Sequence, residues 1–414
     1  MRTIPGSTRG SRAWLDQATH FPPSELFTLS TRSWLSTLAL SCCLCICTLA
    51  QTAPISETRQ AETIAPGIEH LAIKRGNFEV EQSDRWLIHV LIVDPQLVRL
   101  QLGIAMDEVV GSELTSSLAT RHGALAAING GYFRTMGVYR GEQVGTLILR
   151  GRVLSEPVRG RVSLALRETG RQIQAAVVNV TLKAELRINR QQSLAVNGFN
   201  RLREKDELIV FTPEFHRTTL TAPDGVEAIV RRGRVVAVHD ARGSQAIPPD
   251  GLVLSAHGTA RTWLLANVKR GARVELKTAI NTKPTLSSQP DFILGGGPRL
   301  LTGGQSTIES EAADYAASFF TARHPRTALG WRGDGKLVLV TVDGRQPQKS
   351  VGMTIAELAN LMLELDCVEA LNLDGGGSTT MVIRNKVVNS PSDATGERAV
   401  SDALLFLPRE AKTR

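Results

Sequence analysis

The segment Leu371–Val382 carries the densest group of residues suited to chemistry. It reads Leu-Asn-Leu-Asp-Gly-Gly-Gly-Ser-Thr-Thr-Met-Val, so that Asp374 is followed by three glycines and three hydroxyl residues. A carboxylate held at the end of a buried strand often serves as a general acid or base. Glycines let backbone N–H groups approach a ligand, and hydroxyls donate to phosphate or sugar oxygens. The candidate residues are Asp374 for catalysis and, for substrate binding, Asn372, Gly375, Gly376, Gly377, Ser378, Thr379 and Thr380.

A second candidate loop lies at Asn129-Gly-Gly-Tyr-Phe133, directly after a short apolar run. Aromatic side chains are only 5% of the chain, and sugars commonly bind against aromatic faces that have a polar group nearby. The alternative for both glycine segments is a plain β-hairpin, because Asp-Gly, Asn-Gly and Gly-Gly are strong turn signals. The third glycine and the hydroxyl triplet favour a site. The loop adds the substrate-binding candidates Asn129, Gly130, Gly131, Tyr132 and Phe133.

A basic group follows at Arg323-His-Pro-Arg326. Arginine and histidine placed together suit the recognition of a phosphate, so His324 and Arg326 are further candidates for substrate binding. A solvated basic turn is the alternative.

The elements between these loops predict that two carboxylates meet. An apolar strand, Lys336–Val342, ends at Asp343, and a second strand, Ala370–Leu373, ends at Asp374. Between them Thr354–Leu365 has the pattern of an amphipathic helix, with Thr354 as N-cap and Glu357 at the capping-box position. Strands joined in this way are normally parallel near neighbours, so both carboxylates should emerge at one sheet edge. Such a pair suits glycoside hydrolysis, and it would equally bind a divalent cation. Asp343 is therefore the second catalytic candidate.

The remaining pattern predicts an α+β fold with a mixed β-sheet core, many strands and few helices. Residues Trp86–Val93 and Val98–Ile104 alternate as strands, Gly111–His122 has the pattern of a helix, and residues 145–280 give one strand after another. A final strand at Ala403–Leu407 should complete the sheet. Whether residues 150–290 form a separate lobe stays open.

The N-terminus has the pattern of an export segment. Arg32 precedes an apolar run, Trp34–Ala50, which ends in small residues, as in a secretory signal; an uncleaved membrane anchor is the alternative. We divide the chain into a leader with signal or anchor (1–50), a linker (51–67) and one domain (68–410). The expected location is secreted, periplasmic or cell envelope. The net charge is +8, but Lys and Arg are dispersed without interleaved aromatics, which argues against a nucleic-acid partner.

Five motifs in order give the chain a family resemblance. They are Asn129–Phe133, Gly295-Gly-Gly-Pro298, Arg326-Thr-Ala-Leu-Gly330, Val342-Asp-Gly-Arg345 and Leu371–Met381, all within residues 125–407. Together they resemble the phosphodiester glycosidase family. The resemblance implies hydrolysis of a sugar linked through C1 to a phosphodiester, in envelope or exopolysaccharide metabolism, with a sugar phosphate or glycan as substrate.

With that reaction, Asp374 is expected to act as general acid/base and Asp343 to stabilise charge or position water, while His324 and Arg326 hold the phosphate. No cofactor is required, a divalent cation is possible, and its ligands are unknown. Two other classes of protein stay open. One is a non-catalytic module that binds anionic envelope glycans. The other is a nucleotide-binding protein, against which stands the lack of a Gly-x-x-x-x-Gly-Lys-Ser/Thr run.

Overall fold

Most of the described chain is β-strand. The computed structural model describes residues 56–80, 83–308 and 315–409, which belong to one compact unit, Pro54–Arg414. Strands account for about 48% and helices for about 11%. The predicted leader and its apolar run lie outside the described residues.

Before residue 200 the described residues form twelve strands and one α-helix. In order they are β1 (Glu57–Ala65), β2 (Ile68–Gly76), β3 (Arg85–Val93), β4 (Val98–Ile104), β5 (Glu113–Leu114), α1 (Thr115–His122), β6 (Ala126–Asn129), β7 (Leu147–Leu149), β8 (Arg152–Ser155), β9 (Val162–Thr169), β10 (Gln172–Ile188), β11 (Gln192–Ala195) and β12 (Gly198–Phe199).

From residue 200 onward the described residues add three α-helices and the strands that end at the candidate site. They are β13 (Leu208–Phe211), β14 (Val226–Arg231), β15 (Arg234–Asp240), β16 (Gly251–Ala256), α2 (Gly258–Asn267), β17 (Val274–Lys283), β18 (Phe292–Gly295), β19 (Arg299–Thr302), β20 (Gln305–Ser306), α3 (Ala317–Thr321), β21 (Arg326–Arg332), β22 (Leu337–Val342), α4 (Ile355–Glu364), β23 (Cys367–Asn372), β24 (Met381–Ile383), β25 (Lys386–Val387), β26 (Ala399–Val400) and β27 (Asp402–Pro408).

Four larger sheets and one two-stranded ribbon organise these strands. The largest has the order β1-β2-β3-β22-β21-β23-β19-β20. A second has β11-β10-β9-β18-β7-β8, with β17 also paired to β10. Two five-stranded sheets, β12-β13-β16-β14-β15 and β25-β24-β6-β27-β4, and the pair β26-β5 complete the set. Within the described part of the chain neighbouring strands run antiparallel, except for β12 and β13.

The eight-stranded sheet is buried on both faces because its central strands alternate between two apolar clusters. On β22, Leu337 and Leu339 belong to one cluster, whereas Val338, Val340 and Val342 belong to another that includes the apolar face of α4. Strands with both faces covered are apolar along nearly their whole length, which explains why β22 is apolar except at Thr341. The central sheet therefore gives the strand ends a rigid frame.

The predicted arrangement of Asp343 and Asp374 is confirmed at the level of the strands. β22 and β23 are both antiparallel to β21, which lies between them, so the two strands are parallel and their carboxyl ends share one edge. Helix α4 connects them, and Thr354 caps it with the full capping box to Glu357. The same edge holds the first residue of β21, Arg326.

Three predictions about elements need correction. The linker expected at residues 51–67 contains β1, an edge strand whose mostly exposed polar side chains hide it from a search for apolar alternation. The helix expected from Gly111 begins at Thr115, because Glu113 and Leu114 pair with β26. The label α+β with a mixed sheet is loose, since the described helices are short and the sheets are mostly antiparallel.

The strand-rich middle of the chain packs in two directions. It has an apolar cluster of its own, and through Leu164, Phe211 and Phe292 it also joins the cluster beneath the eight-stranded sheet. Among the described residues, no helix combines the length and the apolar character needed to cross a membrane.

Candidate active site

The candidate residues meet at the sheet edge where β21 begins and β23 ends. A cavity of about 280 Å³ opens there. Its lining is Tyr132, Phe319, His324, Arg326, Arg345, Asn372, Asp374, Gly375, Gly376, Gly377 and Arg398. Three predicted segments that are far apart in the sequence therefore share one cavity, and we call it the site cavity.

Asp374 is fixed by the loop that contains Asn129. Its backbone N–H donates to the carbonyl oxygen of Gly130 (3.1 Å), and its own carbonyl oxygen accepts from Asn129 Nδ2 (2.7 Å). Asn129 Oδ1 in turn accepts from Thr327 Oγ1 (2.9 Å) and from the backbone N–H of Thr380 (3.1 Å). Asn129 is therefore a positioning residue, because its side chain holds the backbone of Asp374 in place.

Removal from water raises the pKa of Asp374 to about 7. The Ser378 hydroxyl, the charge of Arg398 and the backbone N–H of Gly375 act in the opposite direction, and the nearby carboxylate of Asp402 adds to the rise. A carboxyl group with this pKa exchanges protons readily near neutral pH, which is what a general acid or base requires.

The glycine loop lets two arginines approach the backbone. A Cβ on Gly376, whose φ is +61°, would lie 3.2 Å from the guanidinium of Arg345. A Cβ on Gly377 would lie 2.2 Å from Arg398 Nη2 and from Asp393 Oδ1. These glycines are therefore required by the packing of Arg345 and Arg398 against the loop, more than by a tight hairpin.

Arg326 brings a buried positive charge to the site cavity. Its Nε donates to the carbonyl oxygen of Met353 (2.7 Å), its Nη2 donates to the carbonyl oxygens of Phe319 (2.8 Å) and Ala322 (3.0 Å), and its guanidinium lies over the Phe319 ring. Burial lowers its pKa to about 10, and the charge of Arg345 acts in the same direction. Within the described part of the chain Arg326 forms no ion pair, so an anion in the cavity would compensate it.

Arg345 and His324 form the more open side of the cavity. The exposed Arg345 donates from Nε to His324 Nδ1 at 3.4 Å and has no carboxylate partner among the described residues. Burial and the charges of Arg345 and Arg326 lower the pKa of His324, so that the imidazole is neutral at pH 7. Arg398, in contrast, pairs with Asp393 through two hydrogen bonds of 2.7 and 2.9 Å.

Tyr132 and Asn372 form a further wall of the site cavity. Asn372 Nδ2 donates to the Tyr132 hydroxyl (2.8 Å), which donates to the carbonyl oxygen of Gly297 (2.7 Å). The guanidinium of Arg161 stacks on the Tyr132 ring at 5.1 Å. This wall offers an aromatic ring beside amide and hydroxyl groups, a combination that suits a sugar.

Asp343 lies outside the site cavity. Its carboxylate accepts from Asn389 Nδ2 (2.9 Å) and from the backbone N–H of Ser390 (2.9 Å). Burial raises its pKa to about 6, against the effect of these hydrogen bonds. The predicted shared edge holds for the strands, whereas the Asp343 side chain is engaged with the segment that follows β25. Its catalytic role stays a prediction.

Five other predicted residues support the cavity without lining it, or line a neighbouring one. Ser378, Thr379, Thr380 and Gly131 are buried, and the N–H of Gly131 donates to Asp402 Oδ1 (2.9 Å). Phe133 lines a neighbouring cavity, described below.

The sequence analysis missed four functional candidates. Arg345 stands inside the quoted motif Val342–Arg345, so the signal was present but not used. Arg398, Phe319 and Asp402 had no motif. The sequence signal for Asp402 was its position as a carboxylate at the start of an apolar strand. In the structure Asp402 is fully buried, and burial raises its pKa.

The described residues contain no cluster of potential metal ligands. No group of three or more His, Cys, Asp or Glu side chains stands within reach of one ion there. The question of a divalent cation is therefore left to experiment.

The family comparison supports the resemblance found in the sequence. Residues 224–407 match the model of the phosphodiester glycosidase family, and this range contains every cavity-lining residue except Tyr132. The resemblance predicted from the five motifs is confirmed.

Several individual proteins are similar to this chain in sequence or in fold. Over 124 residues the chain is 38% identical to the human N-acetylglucosamine-1-phosphodiester alpha-N-acetylglucosaminidase, which covers 30% of this chain and 23% of that protein. Over 82 residues it is 46% identical to the SPbeta prophage-derived protein YomE of Bacillus subtilis, which covers 20% of this chain and 12% of that protein. The matches thus span less than a quarter of the length of these relatives. A crystal structure from Burkholderia pseudomallei, described as that of an exported protein, shares the fold, with a TM-score of 0.75, 24% identity and coverage of 86% of this chain and 97% of the other.

Proposed function

We propose that the chain hydrolyses the glycosidic bond of a sugar-1-phosphodiester, an α-N-acetylglucosamine-1-phosphodiester or a close analogue, and releases the free sugar and a phosphomonoester. One observation carries the proposal: Asp374, with a pKa of about 7, shares a cavity with the guanidinium groups of Arg326, Arg345 and Arg398. The carboxyl group of Asp374 can transfer a proton from the attacking water or to the bridging oxygen, and the guanidinium groups can neutralise the phosphate that leaves.

Asp374 is the general acid/base in this proposal. Water adds to C1, the bond between C1 and the bridging oxygen breaks, and its electron pair leaves with the phosphate. Asp374 takes the proton of the attacking water or gives one to the bridging oxygen. Because phosphate is a good leaving group, neutralising its charge matters more than protonating it.

The arginines hold the phosphate. Arg326 and His324 were predicted for this role, and Arg345 and Arg398 join them in the lining of the cavity. Arg326 is the anchor, because its buried charge has no carboxylate partner in the described residues and its Nη1, which has no backbone acceptor there, is left to donate to the phosphate. Tyr132 and Asn372 contact the sugar, while Asn129 and Gly130 position Asp374.

Asp343 keeps the predicted role of stabilising charge or positioning water, acting through the segment at Asn389 and Ser390 that its carboxylate holds. Binding of a divalent cation by Asp343 is the competing role, and chelation separates the two.

We place the reaction outside the cytoplasm, in envelope or exopolysaccharide metabolism. The apolar run Trp34–Ala50 after Arg32 supports export, and so does the fold shared with the Burkholderia protein described as exported. A cleaved signal and an uncleaved anchor are both compatible with this location.

The test measures release of free sugar from α-N-acetylglucosamine 1-(4-nitrophenyl phosphate) by the full chain, with and without EDTA. We expect turnover by the native chain and a loss of kcat/KM of about 10³-fold or more in Asp374→Asn. The matched control is Asp334→Asn, which changes an exposed aspartate in the turn before β22 and should leave turnover unchanged.

Three outcomes of this test would change the proposed function or the proposed residue roles. Activity retained by Asp374→Asn would remove that residue from catalysis. Tight binding of the phosphodiester without turnover, lost in Arg326→Gln but kept in Asp374→Asn, would define a non-catalytic module for anionic glycans. Loss of activity with EDTA, restored by a divalent cation, would move Asp343 from catalysis to metal binding.

A further inference from the structure

A second cavity adjoins the site cavity across an ion pair. It measures about 470 Å³ and is lined by Leu114, Phe133, Thr135, Arg140, Asp393, Thr395, Glu397, Arg398 and Ala399. Arg398 lines both cavities, and the Arg398–Asp393 pair rests on Gly377 of the glycine loop. A ligand that leaves the site cavity past Arg398 therefore enters this second space, which we call the outer cavity.

A phosphodiester needs such an exit. Its phosphate carries the sugar on one side and the aglycone on the other, whereas the site cavity, at about 280 Å³, is at the small end of pockets that hold one small molecule. The sugar and the phosphate fill it. The aglycone must then continue beyond the arginines, and the outer cavity lies directly beyond Arg398.

The segments that line the outer cavity carry exposed apolar residues, which we call its rim. On the loop between its lining residues Thr135 and Arg140, Met136 is 78% and Val138 71% exposed, and Leu114 in its wall is 40% exposed. Met106 is 63% exposed, and its N–H donates to Oε2 of Glu113 (3.0 Å), the residue before Leu114. Three of the eight large exposed apolar residues in the described chain thus lie in the wall of the outer cavity or on the loop between two of its lining residues.

The loop that carries two of them is held in shape. The N–H of Arg134 donates to the carbonyl oxygen of Glu142 (2.8 Å), and the N–H of Gly141 donates to the carbonyl oxygen of Arg134 (2.8 Å). Gly141 packs so closely on Gly111 that a Cβ would lie 2.1 Å from its carbonyl oxygen. The closed loop thus holds Met136 and Val138 in contact with water. Exposure of apolar side chains to water is unfavourable, and a bound apolar ligand would remove it.

The same loop is basic. Arg134 is exposed apart from its contact with Glu142, and Arg140 is exposed without an ion pair in the described residues. Apolar side chains flanked by arginines match a molecule with a phosphate next to an acyl or alkyl chain.

We propose that the outer cavity and its rim bind an apolar aglycone, so that the substrate is a sugar joined through phosphate to a lipid. The inference rests on the proposed function and names its substrate class. The sugar lies beside Asp374, and the phosphate lies among the arginines. The hydrocarbon chain of the lipid passes Arg398 towards Met136 and Val138.

The experiment compares two phosphodiesters of α-N-acetylglucosamine that differ only in the aglycone, methyl or dodecyl, used below the micellar concentration of the latter. The native chain should favour the dodecyl substrate by about 10-fold or more in kcat/KM, since each buried methylene adds to binding. The double variant Met136→Ser/Val138→Ser should lose this preference and keep its activity on the methyl substrate. The matched control is Val80→Ser/Val236→Ser, at two exposed apolar residues elsewhere, and it should keep the preference.

A binding measurement separates this inference from the proposed reaction. Dodecyl phosphate and methyl phosphate are titrated calorimetrically into the full chain and the two double variants, without any turnover. Tighter binding of dodecyl phosphate, lost only in the Met136/Val138 variant, supports the apolar subsite even if neither diester is cleaved. Equal binding of both phosphates, or equal loss in both variants, overturns it. Turnover of both diesters at equal rates would also overturn it while leaving the proposed reaction intact.

Discussion

At the scale of single residues, the feature that suits Asp374 to proton transfer also destabilises the fold at neutral pH. Its pKa in the folded chain is about 7, against 3.8 for the free side chain, so the folded state holds its proton more tightly. The stabilisation from this proton is complete below about pH 4 and is lost as the pH rises through 7. Function and stability are therefore opposed at this position.

Asp374→Asn should accordingly stabilise the chain at alkaline pH. Each pKa unit corresponds to about 1.4 kcal/mol, and because the side chain is partly open to the cavity we expect a gain in the free energy of unfolding of roughly 1–3 kcal/mol at about pH 8. At about pH 4 the variant and the native chain should be equally stable. Denaturant unfolding at the two pH values measures the difference, and a gain independent of pH would contradict the assigned pKa.

Asn389 is the residue through which Asp343 is tied to the site edge. Its side chain donates to Asp343 Oδ1 (2.9 Å) and to the carbonyl oxygen of Thr379 (3.0 Å), and accepts from the N–H of Met381 (2.8 Å). Asn389→Ala should lower the free energy of unfolding by about 1–3 kcal/mol, since it leaves buried partners unsatisfied. Asn360→Ala, on the exposed face of α4, is the control and should cost nothing.

The activity of the same variant bears on Asp343. If Asp343 acts only by holding this segment, Asn389→Ala and Asp343→Asn should lower kcat/KM by similar factors. A far larger loss in Asp343→Asn, with folding retained, would support the catalytic role predicted from the sequence.

At the scale of elements, the glycine loop is the part whose composition the site dictates. Gly377→Ala places a methyl group 2.2 Å from Arg398 Nη2 and Asp393 Oδ1, so the ion pair must move. We expect kcat/KM to fall about 10-fold or more, mainly through KM, with the free energy of unfolding changed by no more than about 1 kcal/mol. Gly333→Ala is the control, because its nearest neighbouring atom is 4.0 Å away. Unchanged kinetics in Gly377→Ala would show that Arg398 does not contact the substrate.

Elements with a local signal were predictable, and those fixed by distant partners were not. Helix α4 was predicted from its capping residues Thr354 and Glu357, and β22 was predicted from its mostly apolar sequence. β1 was missed because its backbone pairing with β2, not its side chains, makes it a strand. Asp343 was placed at the correct edge by the topology rule, but no local rule could show that Asn389 and Ser390 would occupy its carboxylate.

At the scale of the whole molecule, the site depends on pairings between strands that are far apart in the chain. β6 joins β24 and β27, which brings Asn129 to Asp374 across more than two hundred residues. The motifs predicted which segments would meet, because the family resemblance carried that information. They could not predict Arg398, which reaches the cavity from a loop of no recognisable pattern, or the short exposed loop around Met136.

The charge of the molecule predicts how salt should act on the reaction. The net charge is +8, and three guanidinium groups line the site cavity. Because screening lengths shorten from about 14 Å to about 4 Å between roughly 0.05 and 0.5 M salt, kcat/KM for an anionic phosphodiester should fall several-fold, mainly through KM. Arg345→Gln should weaken this dependence, since Arg345 is exposed at the cavity without a carboxylate partner in the described residues. Arg171→Gln removes the same charge at the exposed turn between β9 and β10 and is the control. Equal effects of the two variants would show that overall charge, and not the guanidinium groups in the cavity, attracts the substrate.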